Sequence, residues 1–152
     1  MEELMVGEHQ LGTATLVSRT SLTSPTTDTL KAALYLASAT INASTTVYTT
    51  TGEVTGTNYT AGGVTVTNAA APAFTNTSAT AGVAYWTPSA SLVYTTVTLA
   101  TAFDTVLLYN STQSNKAISV HTFGSQTITA GTFTLTMPAN TTAAALIRLA
   151  TT

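Results

Sequence analysis

Few side chains in this 152-residue sequence are equipped for chemistry. There are two histidines, His9 and His121, and six acids, of which Glu2, Glu3 and Glu8 crowd the first eight positions. Past residue 27 the acids are Asp28, Glu53 and Asp104, well apart in the chain. A zinc site wants three or four His, Cys, Asp or Glu ligands at short spacings. The chain has no cysteine, and neither histidine belongs to an HExxH pattern. Glycoside hydrolysis needs two facing carboxylates, and three scattered acids make a poor source for such a pair. Serines abound, but none sits in GxSxG. The glycines of "TGEVTGTNYTAGG", Thr51 to Gly63, fit neither GxxxxGK[ST] nor GxGxxG. These residues predict no catalytic group, no metal and no cofactor. Glu53, the one charge in that stretch, reads as a solvated turn carboxylate, and Asp28 as a turn residue that accepts bonds from the backbone ahead of the first strand.

Bulk composition narrows the partners. Charged residues are 7% of the chain and the net charge is −2, against about 25% charged in an ordinary domain. Lys31, Lys116, Arg19 and Arg148 are dispersed, so nucleic acid finds no basic footprint. No apolar run approaches the length of about 18 residues that marks a membrane span, and the acidic start predicts no export signal. Threonine makes up a quarter of the chain. A surface this poor in charge tends to associate, so a homo-oligomer, dimer or trimer, is expected.

The elements that would position these side chains are strands. "TLKAALYLA" alternates, with Leu30, Ala32, Leu34 and Leu36 on one face and Lys31, Ala33 and Tyr35 on the other, the pattern of a half-buried strand. "TTVYTTT", "VTVTN", "AGVAYWTP", "SLVYTTVTLA", "TVLLYN", "AISVHTFG", "QTITAG", "TFTLTMP" and "AALIRLA" follow, separated by turn clusters such as "NSTQSNK", "GSQ" and "TAG". Threonine suits a pleated strand because its branched β-carbon is stiff. Short strands at spacings of about 8–12 residues predict an all-β, antiparallel β-sandwich over residues 28–152, jelly-roll-like or immunoglobulin-like. Among the aromatics, Tyr48, Tyr59, Phe74, Tyr85, Trp86 and Tyr94 are expected mainly in the core, with subunit or sugar contact as alternatives. Residues 1–27 differ in composition and predict an extended N-terminal arm. Its apolar residues Leu4, Met5, Val6, Leu11, Leu16 and Val17 need covering and are the expected partner contacts.

"DTLKAALYLASATINASTTVYTTTGEVTGTNYTAGGVTVT", the later "VLLYNSTQSNKAISVHTFGSQTITAGTFTLTMP" and the closing "AALIRLA" together resemble small virion proteins of tailed bacteriophages. The likeness runs from about Asp28 to Ala150. It implies a phage structural protein made in the host cytoplasm and carried in the virion, and it brings no catalytic residue with it. The leading expectation is a capsid decoration or cement protein on the outer surface of the head, bound to the major capsid protein or other virion subunits. A neck, tail or fibre component with a receptor- or glycan-binding face is the alternative.

Overall fold

A computed structural model of the chain describes residues 28–67, 73–74 and 83–150. The expected arm, with Leu4, Met5, Val6, Leu11, Leu16 and Val17, lies outside the described residues. The described part is all-β, with seven strands and no helix: β1 (Leu30–Leu36), β2 (Val64–Thr65), β3 (Ala73–Phe74), β4 (Val83–Trp86), β5 (Leu92–Asn110), β6 (Lys116–Leu135) and β7 (Ile147–Ala150). They form two antiparallel sheets, ordered β2-β1-β5-β6 and β3-β4-β7. Each sheet belongs to its own compact unit, the first built from residues 29–66 and 92–135.

In the smaller sheet, β4 pairs with β3 on one side and β7 on the other, with Trp86 opposite Ile147. Trp86 is fully buried, and its indole N–H has no partner among the described residues. Beyond it, Thr87 accepts the Leu146 N–H on its hydroxyl at 2.8 Å, and Pro88 stops the strand.

In the larger sheet, β1 is a central strand. Leu30, Ala32 and Leu34 are buried on one face, and Ala33 and Tyr35 on the other. The half-buried expectation is therefore corrected: small Ala32 and Ala33 let chain pack on both sides. Ala33, Tyr35, Leu107 and Tyr109 form one layer, covered by Ala39, Ile41 and Tyr48 from the segment after β1. On the opposite face Tyr94 reaches over to donate its hydroxyl to Ala32 O at 2.9 Å.

The two longest strands differ most from expectation. "SLVYTTVTLA" and "TVLLYN" are one strand, β5, of 19 residues, and "AISVHTFG", "QTITAG" and "TFTLTMP" merge into β6, of 20. "TTVYTTT" contributes only a bridge from Val47 to Lys116. The expected turns "GSQ" and "TAG" are places where the β5–β6 ladder slips. Register shifts fall between Tyr94 and Val97, Val97 and Leu99, Leu99 and Phe103, and Phe103 and Thr105, with a further one between Leu108 and Tyr109, and Thr96 and Ala130 hold positive φ angles of 51° and 47°. Bulges bend the strands that carry them. Here the bend is large. A straight strand would separate Phe123 from Phe133 by about 33 Å, yet their ring centroids are 5.4 Å apart. Phe103 meets both edge-on, at 6.0 and 5.0 Å. The hairpin folds back on itself and closes an aromatic cluster inside the bend.

"NSTQSNK" is the tight turn that its composition predicts. Asn110, fully buried, accepts the N–H groups of Thr112 and Gln113 on Oδ1 at 3.1 and 3.2 Å, and Ser114 and Asn115 take the left-handed conformation.

Candidate functional site

The most organised group of polar side chains is built around Glu53. After β1 the chain loops out and returns so that Leu36 N–H donates to Gly52 O and Val54 N–H to Leu34 O, at 2.9 and 3.0 Å. Glu53 thereby lies opposite Tyr35 in an isolated bridge, 6% exposed. Its reading as a solvated turn carboxylate is overturned. The two short loops it joins fold inward and carry its side chain under the segment that ends at Gly63.

Three donors satisfy the carboxylate. Tyr48 O–H reaches Oε2 at 2.6 Å; Tyr59 O–H and Gly62 N–H reach Oε1 at 2.8 and 2.7 Å. Each donor is in turn held from behind. Tyr59 Oη accepts the Leu34 N–H at 3.0 Å, the Tyr48 ring stacks on Tyr109 at 4.6 Å, and Tyr109 O–H donates to Gly62 O at 2.9 Å. Tyr35 O–H donates to Thr49 O at 2.6 Å, and Tyr59 lies alongside Tyr94, 6.1 Å between ring centres. Five of the six tyrosines thus surround one carboxylate.

The glycines of "TGEVTGTNYTAGG" make this approach possible. Gly62 and Gly63 have φ of 89° and 72°, where a side chain is strained. A Cβ on Gly63 would fall 1.6 Å from Ala32 O, and one on Gly56 1.9 Å from Thr98 O.

Burial of a charge without a partner is costly, and a carboxylate that accepts several hydrogen bonds offsets that cost. Among the described residues the partners of Glu53 are neutral dipoles rather than a cation. The tyrosines respond to the same environment. Burial raises the Tyr48 and Tyr59 hydroxyls well above the usual phenol range, and bonding to Glu53 raises them further. Tyr94 is raised by burial and by the field of Glu53. Burial pushes Tyr35 and Tyr109 up to about 12. A phenol held protonated and a carboxylate whose oxygens are already bonded have little left with which to move a proton for a substrate. The arrangement locks two loops to a sheet.

Of the aromatics expected in the core, Tyr48 and Tyr59 bond Glu53 and Tyr94 lies beside Tyr59. Tyr35 and Tyr109, not among those expected aromatics, complete the group. Their signal is that Tyr35 and Ala33, in β1, lie on the same face as Tyr109 and Leu107 in β5. The other chemistry-bearing residues stay apart. His121 on β6 is half-buried, with Nε2 3.0 Å from Ser119 Oγ, and burial lowers its pKa. Asp104 on β5 accepts the Thr105 hydroxyl at 2.7 Å. Asp28 is buried at 3% exposure. Among the described residues no three of His, Asp and Glu stand close enough to hold a metal ion, and no helix is long and apolar enough to cross a membrane.

No family model, curated protein or solved structure matches the chain.

Proposed function

We propose that this chain is a structural subunit, a capsid decoration or cement protein of a phage virion that binds the head shell and acts through subunit contacts rather than catalysis. The observation that carries the reading is Glu53. The most deeply engaged ionisable group of the larger unit is committed, through Tyr48, Tyr59 and Gly62, to fixing the backbone. A chain that needs only to fold, bind its neighbours and persist can use its polar side chains in this way. The 7% charge content supports association with other subunits, and the resemblance over Asp28–Ala150 supports the virion as the place. In this reading the partners are the major capsid protein or other virion subunits, and residues 1–27 tie the domain to them.

The test is the number of copies per purified particle, by quantitative mass spectrometry against the major capsid protein. The proposal expects a simple ratio, on the order of hundreds of copies under closed shell symmetry. On the order of a dozen copies would move the chain to the neck, tail or a fibre, and absence from the particle would overturn the reading. Of the aromatics weighed for glycan contact, Trp86 and Tyr94 are buried and the hydroxyls of Tyr48 and Tyr59 are taken, which counts against the glycan-binding alternative at those four.

A further inference from the structure

Two tyrosine pairs stack among the described residues, and only one has the geometry to react. The Tyr48 and Tyr109 rings lie with centroids 4.6 Å apart and planes 14° from parallel. Their hydroxyls point to one place: Tyr48 O–H donates to Glu53 Oε2, Tyr109 O–H to Gly62 O, and Gly62 N–H to Glu53 Oε1. Rings stacked in this sense bring the carbons beside the two hydroxyls, the ortho carbons, over one another. These are the positions at which an oxidised phenol forms carbon–carbon bonds. In the other pair, Tyr59 and Tyr94 are 6.1 Å apart and their hydroxyls diverge, one to Glu53 and one to Ala32 O.

Access and proton transfer favour the same pair. Tyr48 is half-buried and open to a small oxidant, whereas Tyr109 is buried and reached through the stack. A phenol that gives up an electron becomes a strong acid, and its proton needs a base within hydrogen-bond reach. For Tyr48 that base is in place, Glu53 Oε2 at 2.6 Å, while Oε1 keeps its bonds to Tyr59 and Gly62.

We infer that Tyr48 and Tyr109 form an oxidative cross-linking site, at which a one-electron oxidant of the kind peroxidases make from hydrogen peroxide joins the two rings as dityrosine within one chain. One electron passes from Tyr48 to the oxidant, and the hydroxyl proton moves to Glu53. An ortho carbon of the resulting radical bonds an ortho carbon of Tyr109. A second oxidant takes one electron from the joined rings. Both ortho protons then leave to water as the rings become aromatic again, and Glu53 returns its proton to the Tyr48 oxygen. The net loss is two electrons and two protons, and Glu53 ends as the carboxylate it began as. The bond fastens the segment after β1 to β5 and closes a long loop, the case in which a cross-link constrains the unfolded chain most. The inference does not rest on the virion reading and can fail separately from it.

The experiment is photo-oxidation of the full chain at high dilution with tris(bipyridyl)ruthenium(II) and persulfate, which together generate a ruthenium(III) one-electron oxidant. The expected product is a single chain lighter by two hydrogens, with the blue fluorescence of dityrosine. Digestion and mass spectrometry are expected to find one cross-linked peptide pair, joining Tyr48 to Tyr109. Tyr48→Phe and Tyr109→Phe are expected to give at least tenfold less of the fluorescent product, and Tyr85→Phe, outside the group, the wild-type amount. The peptide map is read on the wild type, so the test holds even where a variant fails to fold. Dityrosine mapped to any other pair or to two chains overturns the inference, and so do oxidised tyrosines with no bond between Tyr48 and Tyr109.

Discussion

Tyr59 Oη donates to Glu53 Oε1 at 2.8 Å while accepting the Leu34 N–H at 3.0 Å. One phenol thus passes the hydrogen bonding of a central strand on to a buried carboxylate. Glu53→Ala leaves the Tyr48 and Tyr59 hydroxyls and the Gly62 N–H without their acceptor. Unsatisfied buried donors cost about 1–3 kcal/mol each, so the loss is expected to be about 3–5 kcal/mol once the loops relax. Glu53→Gln keeps an acceptor and is expected to cost roughly half as much. Urea unfolding followed by tyrosine fluorescence measures both; equal stability of Glu53→Ala and wild type would remove the hub from the account of the fold.

The same tyrosines make stability depend on alkaline pH. Their folded pKa values lie above the ordinary phenol value of 10. The unfolded chain therefore loses phenolic protons first as pH rises. The contribution is complete below pH 10 and declines as pH climbs through about 12, where Tyr35 and Tyr109 titrate in the folded state. Absorbance at the phenolate band is expected to show five tyrosines silent at pH 10.5, ionising together with unfolding. Five phenols titrating near pH 10 in a protein that stays folded would contradict this.

Thr96 is β-branched and holds φ of 51°, a conformation that suits glycine. Its carbonyl accepts from Asn58 Nδ2 at 2.9 Å, a main-chain bond that a side-chain substitution at residue 96 retains. Thr96→Gly is expected to stabilise the chain by about 0.5–1 kcal/mol, relief of strain exceeding the added entropy of the unfolded chain. The readout is a higher urea midpoint with an unchanged slope.

Gly63→Ala is the severe case. Its Cβ would meet the Ala32 carbonyl, part of the central strand, at 1.6 Å. Neither backbone can move without breaking the β1–β2 pairing, so the variant is expected to lose more than about 4 kcal/mol and to be recovered largely unfolded by circular dichroism. Gly124→Ala, where a Cβ meets only the end of Gln126 at 4.0 Å, is the control and should unfold like wild type.

The all-β class was legible because threonine alternates with apolar residues over long stretches, and the "NSTQSNK" turn because its residues favour left-handed backbone. The bend in β5 and β6 was not. Glycine and polar residues at "GSQ" and "TAG" signal a break in the pattern, but a bulge and a chain reversal break it in the same way. Glu53 was illegible for a different reason. A glutamate between glycine-rich turns has the local signature of exposure, and what buries it comes from Tyr59 and Gly62 downstream and from strand positions whose pairing only the fold decides.

In the larger unit two phenols and one backbone amide turn toward one carboxylate, with no cation among its partners in the described residues. Dissolved ions screen charge pairs that face water, and this fold relies on few of those. Between low and physiological ionic strength its melting temperature is therefore expected to hardly change.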